Sequence, residues 1–172
     1  MRVLVTVATR HGATREIGSV IAKALTEAGH DVDELDPSEV ALIDPYEAVI
    51  LGSAVYNGRW LPEARELAER AATPLSHRHV WLFSSGLATQ PASAANSPTE
   101  MRDLRERVAA HAHRNFAGRL DRTVLSFAER TIIAAARGKE GDHRDLAAAH
   151  AWGLGIAAVL AAEMADHPSL PA

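Results

Sequence analysis

Three short apolar runs, each ending in small or polar residues, limit what this chain can fold into. They cover residues 3–8, 48–51 and 80–83 and end in Thr-Arg-His, Gly-Ser and Ser-Ser-Gly. A nearly continuous apolar run of this length is typical of a strand that is buried on both faces. Helical segments lie between the runs, so we predict an α/β fold whose parallel strands are joined by right-handed helical crossovers.

Apolar periodicity predicts four helices. The first covers residues 17–28, and Gly29 lies where a left-handed residue would end it. The second begins at Pro62, since proline is favoured in a first helical turn. The third covers 99–112, and the last is an alanine-rich helix over 144–164. Each apolar run is thus followed by a helix that can cover a face of the sheet.

Two weaker segments complete the predicted sheet. Residues 30–35 alternate between apolar and polar, and residues 115–120 form a short fifth strand. A chain of 172 residues buries about 70% of the surface that its unfolded form exposes, so it needs no cross-link to hold a core. We predict one domain over 1–166 and a frayed tail over 167–172.

The composition excludes several kinds of chemistry. The chain has no cysteine, which excludes disulfides, thiolate zinc sites, iron–sulfur clusters and a cysteine nucleophile. It has nine histidines, but no third ligand accompanies His143 and His150, which share a helix face. No metal site is therefore predicted, and any redox chemistry requires a bound cofactor.

The apolar patterning and the charge of the chain indicate a soluble protein. No apolar run approaches the roughly 20 residues that span a bilayer, and the strand pattern begins too early for a signal peptide. We expect a cytoplasmic protein. The net charge is only −4, but residues 31–47 hold seven acids and no Lys or Arg, whereas residues 102–144 hold ten bases against six acids. Solvated faces are the ordinary explanation for both segments, and no nucleic-acid partner is predicted.

The loop after the first strand has the features of an anion site. Ligands of an open parallel sheet bind beyond the carboxyl ends of the strands, and this loop runs directly into a helix, whose free N–H groups and dipole favour an anion. We predict a phosphate-binding loop formed by Thr9, Arg10, His11, Gly12, Ala13 and Thr14. The alternative is a helix entry that is capped by threonine.

Other phosphate-binding motifs do not match this loop. The chain has neither the GxGxxG motif of dinucleotide sites nor the Gly-Lys-Ser/Thr of nucleoside triphosphate sites. Arg10, His11 and Gly12 resemble the Arg-His-Gly motif of the histidine phosphatases, in which the histidine becomes phosphorylated. That family also uses a second histidine and further arginines at later strand ends, which we cannot place in this sequence.

A different resemblance covers nearly the whole chain. Thr9, Gly12 and Thr14 resemble the Thr-x-x-Gly-x-Thr spacing with which flavodoxins hold the phosphate of FMN. Residues 52–60 and 84–96 occupy the positions of the flavodoxin loops that cover one face of the isoalloxazine ring and contact its pyrimidine edge. The resemblance implies a flavodoxin-like three-layer sandwich, with a five-stranded parallel sheet in the order 2-1-3-4-5 and one FMN bound noncovalently. Besides residues 9–14, it assigns contacts with the cofactor to Ser53, Ala54, Val55, Tyr56, Asn57, Gly58, Ser85, Gly86 and Leu87.

The second of these loops contains the groups that a flavin ring requires. Either Tyr56 or Trp60 is suited to stack on the ring, and Tyr56 is favoured. The dipeptide Asn57-Gly58 readily adopts positive φ. Its carbonyl can then turn toward N5 of the flavin and change the reduction potential. The cofactor performs the difficult step, so no catalytic side chain is assigned.

Among flavodoxins the chain is most similar to the bacterial group that includes menaquinone-dependent protoporphyrinogen oxidase. That group has the pattern Thr-Arg-x-Gly-x-Thr-Arg-Glu-Ile, here residues 9–17, and a small-residue and Tyr-Gly pattern similar to 53–58. It also carries a helical insert, here about 121–140, and a tryptophan in the last helix that resembles Trp152. The insert of the oxidase is basic and aromatic, whereas Phe127 is the sole aromatic residue here.

The resemblance implies an order of functions. The first choice is oxidation of a porphyrinogen, with a quinone or another redox partner. The protein would then be attached at most peripherally to the inner face of the membrane. The alternative is a single-domain electron carrier without a substrate of its own. A histidine phosphatase is the third.

Overall fold

A parallel sheet forms the centre of the molecule. The computed structural model describes residues 1–86, 98–121, 123, 125–127, 130–131 and 140–166. In chain order the elements are β1 (Arg2–Ala8), α1 (Ala13–Glu27), β2 (Asp31–Leu35), β3 (Ala48–Tyr56), β4 (Arg59–Trp60), α2 (Pro62–Arg70), α3 (Ala72–Ser76), β5 (His79–Gly86), α4 (Pro98–Arg107), β6 (Ala112–Ala117), β7 (Arg119–Leu120), β8 (Gly141–Asp142) and α5 (Leu146–Asp166).

The order of the main strands confirms the predicted fold. Strands β2, β1, β3, β5 and β6 pair in that order, and every pair is parallel. Counted along the chain without the two-residue strands, the order is 2-1-3-4-5. Strand β4 turns back antiparallel onto the end of β3, and β7 pairs with β8.

The alternation of side chains along the strands produces two cores. Successive side chains of a strand point to opposite faces, so Val3, Val5 and Val7 of β1 pack with α1 and α5, whereas Leu4 packs with α2 and α4. Both faces of β1 and β3 are buried. This explains why their sequences are nearly continuous apolar runs, and it confirms the three-layer arrangement.

Helix α5 lies directly against α1. A Cβ atom added to Gly153 would come within 2.8 Å of Ala24 Cβ, so glycine permits this close approach. Trp152 lies beside Phe83 and Phe116 in edge-to-face contacts, with ring centroids 6.3 and 5.8 Å away. The last helix thereby covers β5 and β6 as well as α1.

The length and composition of α5 correct one expectation. Over Leu146–Ala165 the helix has a mean hydropathy of 1.5 and is long enough to cross a membrane by length and composition, whereas no such segment was expected. Its alanines supply the hydropathy without long side chains, which is why the segment did not stand out as an apolar run. Within the molecule 28% of this window is buried, and that buried side of α5 packs on α1.

Several boundaries differ from those predicted. The third helix ends at Arg107 rather than at 112, and the fifth strand begins at Ala112 rather than at 115. Ala109 adopts a positive φ of 50°, and the Arg105 guanidinium donates to the carbonyls of Ala110 and His111. The strand lies at the edge of the sheet and half of its residues are polar, with Phe116 as its one buried residue, so its apolar signal is weak.

The last helix begins within two residues of its predicted start. The Asp145 carboxylate accepts a hydrogen bond of 2.8 Å from the Ala148 N–H, which is the amino-terminal cap expected of this acid. Most of the predicted insert at 121–140 and all of the predicted tail at 167–172 lie outside the described residues, and the single-domain prediction stays a prediction.

Candidate cofactor site

A cavity opens at the carboxyl edge of the sheet, where β1, β3 and β5 end. Its volume is about 280 Å³. Eleven of the predicted site residues line it: Thr9, Arg10, His11, Ala13, Thr14, Ala54, Val55, Tyr56, Asn57, Ser85 and Gly86. The first two loops that were singled out from the sequence therefore border one cavity, together with Ser85 and Gly86 at the described start of the third.

Four predicted site residues have other positions. Gly12 and Gly58 belong to the loops but do not line the cavity. Ser53 is fully buried, and its hydroxyl accepts a hydrogen bond of 2.9 Å from the Leu61 N–H and donates one of 2.7 Å to the Ala54 carbonyl. Leu87 lies outside the described residues.

The phosphate loop, residues 9–14, leads into a helix without a side-chain cap. Gly12 is the N-cap residue of α1, with a φ of 81°, and no side chain caps the helix. The Gly12 N–H donates to Thr9 Oγ1 at 3.1 Å, so this threonine shapes the loop without capping α1. The alternative of a threonine-capped helix entry is therefore wrong. An anion in the cavity would satisfy the free N–H groups of the first turn.

The hairpin formed by β3 and β4 closes a second side of the cavity. Its two turn residues, Asn57 and Gly58, have φ values of 52° and 74°, and Tyr56 pairs with Arg59 across the turn. Two consecutive positive φ values define the turn that matches the twist of a tight hairpin. The positive φ predicted for this dipeptide is confirmed.

The structure separates the two aromatic candidates for stacking. Tyr56 lines the cavity, and the Arg10 guanidinium lies 4.6 Å from the centre of its ring. Trp60 is buried in the core, and its indole N–H donates a hydrogen bond of 2.7 Å to Ser84 Oγ. Tyr56 is therefore the aromatic residue in position to contact a ring in the cavity.

A half-buried histidine lies behind the hairpin. His113 Nε2 is 2.8 Å from Ser84 Oγ, and desolvation by burial, with the nearby Arg105 charge, lowers the pKa of His113 to about 4. The ring is thus neutral at pH 7. Trp60 donates to the same hydroxyl, so Ser84 links the indole and the imidazole. The sequence predicted a helix up to residue 112 and a strand only from residue 115, so the strand position of His113 was not recognised.

A fourth wall of the cavity was not predicted. It consists of Gly118, Arg119, Leu120, Asp121 and Leu125. Leu120 and Leu125 are only 3% and 7% exposed and pack together, and Arg119 donates to the Asp121 carboxylate at 3.3 Å. The predicted strand order could have indicated this wall, because the segment follows the fifth parallel strand and the carboxyl ends of parallel strands lie at the same edge of the sheet.

Within the described part of the chain, no group of three His, Asp or Glu side chains is placed to hold a metal ion. His79 Nδ1 and His111 Nε2 lie 3.1 Å apart, and both rings stack near Trp81. This pair lies at the opposite edge of the sheet, where β5 begins, and takes no part in the cavity.

The fold and the cavity together define an α/β protein with a doubly wound parallel sheet and a cavity at the carboxyl edge of that sheet. The family model described as a flavodoxin domain matches residues 4–147. The chain therefore belongs to the flavodoxin family, and its three-residue likeness to histidine phosphatases is not a family relationship. No curated protein matches the chain.

Solved structures share the fold at low sequence identity. A cysteine-to-serine mutant of a flavodoxin from Pseudomonas aeruginosa is 15% identical, with a TM-score of 0.63, and the match covers 94% of this chain and 99% of that one. A flavodoxin from the domain Archaea is 14% identical, with a TM-score of 0.65 and the same coverage. Rubredoxin oxygen:oxidoreductase from Desulfovibrio gigas is 14% identical, with a TM-score of 0.64, but the match covers 95% of this chain and only 37% of that one.

The family binds FMN and transfers electrons, and the cavity fits this cofactor. An uncapped helix start with two threonines suits the phosphate, and Tyr56 with Ala54 and Val55 offers an apolar face for the ring. FMN as the cofactor, predicted from the sequence, is confirmed at the level of the family.

Proposed function

We propose that this flavodoxin-family protein is an FMN-dependent oxidoreductase with a substrate of its own, of the type of menaquinone-dependent protoporphyrinogen oxidase. One observation carries the proposal, namely the fourth wall of the cavity. An electron carrier requires a flavin with an accessible edge, whereas this wall adds a partly exposed ion pair, Arg119 with Asp121, beside the flavin loops, and Arg119 offers a charged contact to a second molecule.

Different residues of the chain would contact FMN and the proposed substrate. Residues 9–14 would hold the FMN phosphate, and Tyr56 would contact the ring. Bound FMN supplies the redox chemistry, since it accepts a hydride or electrons from a substrate. Leu120 and Leu125 would exclude water from the part of the cavity that they line, and Arg119 adds a positive charge to the same wall.

The chemistry of this wall favours a substrate that is mostly apolar and carries carboxylates. The two leucines favour an apolar macrocycle by the hydrophobic effect, and the guanidinium is suited to pair with a carboxylate. A porphyrinogen has both features. Arg119 shares its charge with Asp121 at 3.3 Å, so a substrate carboxylate would compete with this exposed ion pair.

The electron acceptor proposed here is a quinone at the inner face of the membrane. Phe127 is 87% exposed. It lies within residues 102–144, which carry a local excess of basic residues. An exposed aromatic ring with clustered bases is typical of peripheral contact with anionic lipid, where each base contributes about 1 kcal/mol. The proposed location is cytoplasmic, with peripheral attachment.

The experiment is to mix the oxidised protein with protoporphyrinogen under strict anaerobiosis. We expect the flavin absorption band to bleach within minutes. Reoxidation by a menaquinone analogue should then be faster than reoxidation by a one-electron acceptor of similar potential. A flavin absorption band that stays unchanged for minutes would contradict the proposal and favour the alternative function, an electron carrier.

The electron carrier is the second candidate, and one observation favours it. The matches to the flavodoxins from Pseudomonas aeruginosa and from the domain Archaea each cover 99% of those chains, so this fold is the size of a flavodoxin that stands alone. A net charge of −4 is small for a carrier that meets basic partners. Faster exchange with a one-electron protein partner than with any quinone would support this candidate.

A further inference from the structure

Arg144 is a buried cation next to the phosphate loop. Its side chain is only 4% exposed, although it lies in the short connection between β8 and α5. A buried charge is costly unless it is paired and hydrogen-bonded. The contacts of this guanidinium therefore show which interactions offset the cost of its burial.

The guanidinium joins three parts of the chain. It forms two bonds with the Asp142 carboxylate, of 2.8 Å from Nε and 2.6 Å from Nη2. Nη1 donates to the Glu16 carboxylate at 2.7 Å and to the carbonyl of Ala13 at 3.2 Å. Ala13 belongs to the phosphate loop, Glu16 to the first turn of α1, and Asp142 to the strand by which the chain returns from the 121–140 segment.

Glu16 poses a specific electrostatic problem for phosphate binding. A carboxylate in the first turn of a helix is favourable for the helix itself. The same carboxylate repels a phosphate that binds at that helix start, because like charges lie near one another. Arg144, which Glu16 shares with Asp142, offsets part of this repulsion, and its bond to the Ala13 carbonyl joins it to the loop.

We infer that Arg144 is a positioning residue for the FMN phosphate, which offsets part of the negative charge of Glu16 and joins the phosphate loop to Asp142. The inference rests on FMN binding at residues 9–14 and is independent of the electron donor. Hydrogen bonding to Asp142 and the charge of Glu16 raise the pKa of Arg144 further above its usual value. The guanidinium is therefore charged at every pH at which the protein is folded.

The test compares FMN with riboflavin, which lacks the phosphate. Protein loaded with either flavin is diluted serially, and the fluorescence of the released flavin gives each Kd. Arg144→Gln should raise the Kd for FMN about fivefold, which corresponds to the interaction of a screened carboxylate with a phosphate. It should raise the Kd for riboflavin less than about twofold.

A double variant separates electrostatic positioning from general stability. In Arg144→Gln with Glu16→Gln, the repelling carboxylate is absent, and the Kd for FMN should return to within about twofold of the parent value. Equal losses for FMN and riboflavin, or no recovery in the double variant, would overturn the inference. A parent protein that binds the two flavins equally would instead refute the phosphate loop itself, so the two failures are distinguishable.

Two further variants keep the test decisive. Glu16→Gln alone removes an exposed negative charge beside the phosphate loop, so the preference for FMN over riboflavin should rise about twofold. A fall in this preference contradicts the inference even if Arg144→Gln does not fold. The matched control is Arg70→Gln, because Arg70 also binds two backbone carbonyls, those of Pro37 and Val40, but does not line the cavity. Its flavin preference should equal that of the parent.

Discussion

The indole N–H of Trp60 donates a hydrogen bond of 2.7 Å to Ser84 Oγ inside the core. Ser84 follows the apolar part of β5, and Trp60 lies on the returning strand of the hairpin that carries Tyr56. His113 Nε2 lies 2.8 Å from the same hydroxyl. Hydrogen bonds that join two buried side chains, Trp60 and Ser84, and the half-buried His113 thus hold the hairpin that borders the cofactor cavity.

Removal of the Ser84 hydroxyl should destabilise the protein. Ser84→Ala leaves the Trp60 N–H buried without its acceptor, which costs about 1–3 kcal/mol. Urea unfolding at pH 7 measures the change in the free energy of unfolding. Ser76→Ala is the control, because the Ser76 hydroxyl bonds to Thr73 at an exposed helix end and should change stability by less than about 0.5 kcal/mol. Equal effects of the two substitutions would show that the hydrogen bonds of Ser84 contribute nothing to the free energy of unfolding.

Stability should fall as the pH is lowered from about 6.5 to 4, in part because of His113. Burial lowers the pKa of this histidine from 6.5 to about 4, so between these values the unfolded chain binds a proton that the folded chain excludes. The stabilisation is fully present above 6.5 and is lost toward 4, and we expect about 2 kcal/mol from this group.

The variant that checks this pH dependence is His113→Gln. Its free energy of unfolding should fall less than that of the parent between pH 7 and 4.5. The exposed His77 provides the matched control, His77→Gln, whose pH curve should follow the parent. If the free energy of unfolding of His113→Gln falls with pH as steeply as that of the parent, other groups cause the pH dependence.

FMN should bind at least about tenfold more tightly than riboflavin, a difference of about 1.4 kcal/mol. The reason is the uncapped start of α1 at Gly12, which offers N–H groups to a phosphate and nothing comparable to a hydroxyl. Fluorescence titration with the two flavins measures the ratio. Equal affinities would show that the loop at 9–14 is not the phosphate site.

Gly58→Ala should shift the reduction potentials of the bound flavin. Gly58 has a φ of 74°, and an alanine there is penalised by about 1 kcal/mol or more. The hairpin peptide would then change conformation less readily beside the ring. Potentiometric titration should show at least one altered midpoint potential.

Gly29→Ala is the matched control for this experiment. Gly29 has a comparable φ of 89° with open space around it, but it ends α1 away from the cavity. The control should lose similar stability and keep both midpoint potentials. Unchanged potentials in Gly58→Ala would remove the hairpin from control of the redox chemistry.

Arg119→Gln should slow reduction of the flavin by a porphyrinogen without changing the affinity for FMN. Arg119 lies in the fourth wall and is the base there that can pair with a substrate carboxylate. Stopped-flow reduction under anaerobiosis should show a loss of about fivefold or more, which corresponds to about 1 kcal/mol. Arg102→Gln, at an exposed position in α4, should react at the parental rate. A parental rate in Arg119→Gln would contradict its role in substrate binding.

The sequence by itself determined the features that depend on neighbouring residues. The continuous apolar runs of β1 and β3 follow from burial of both faces, and Asn57-Gly58 adopts positive φ because of its own backbone preferences. The phosphate loop is equally local, since a strand, a glycine and a helix start lie within a few residues. The pattern of strands and helices was sufficient for the fold and for most of the cavity.

Only the tertiary structure decided which distant residues complete the site. Burial of Trp60 depends on Ser84, 24 positions away, so composition could not separate it from Tyr56 as a partner of the ring. Glu16 and Arg144 are 128 positions apart, and the local pattern around Arg144 predicted only the start of the last helix. Pairing of a buried charge is a property of three-dimensional packing, because the cost of burial appears only when the surrounding elements close around the group. For the same reason the leucines of the fourth wall became part of the cavity only once β6 had been placed next to β5.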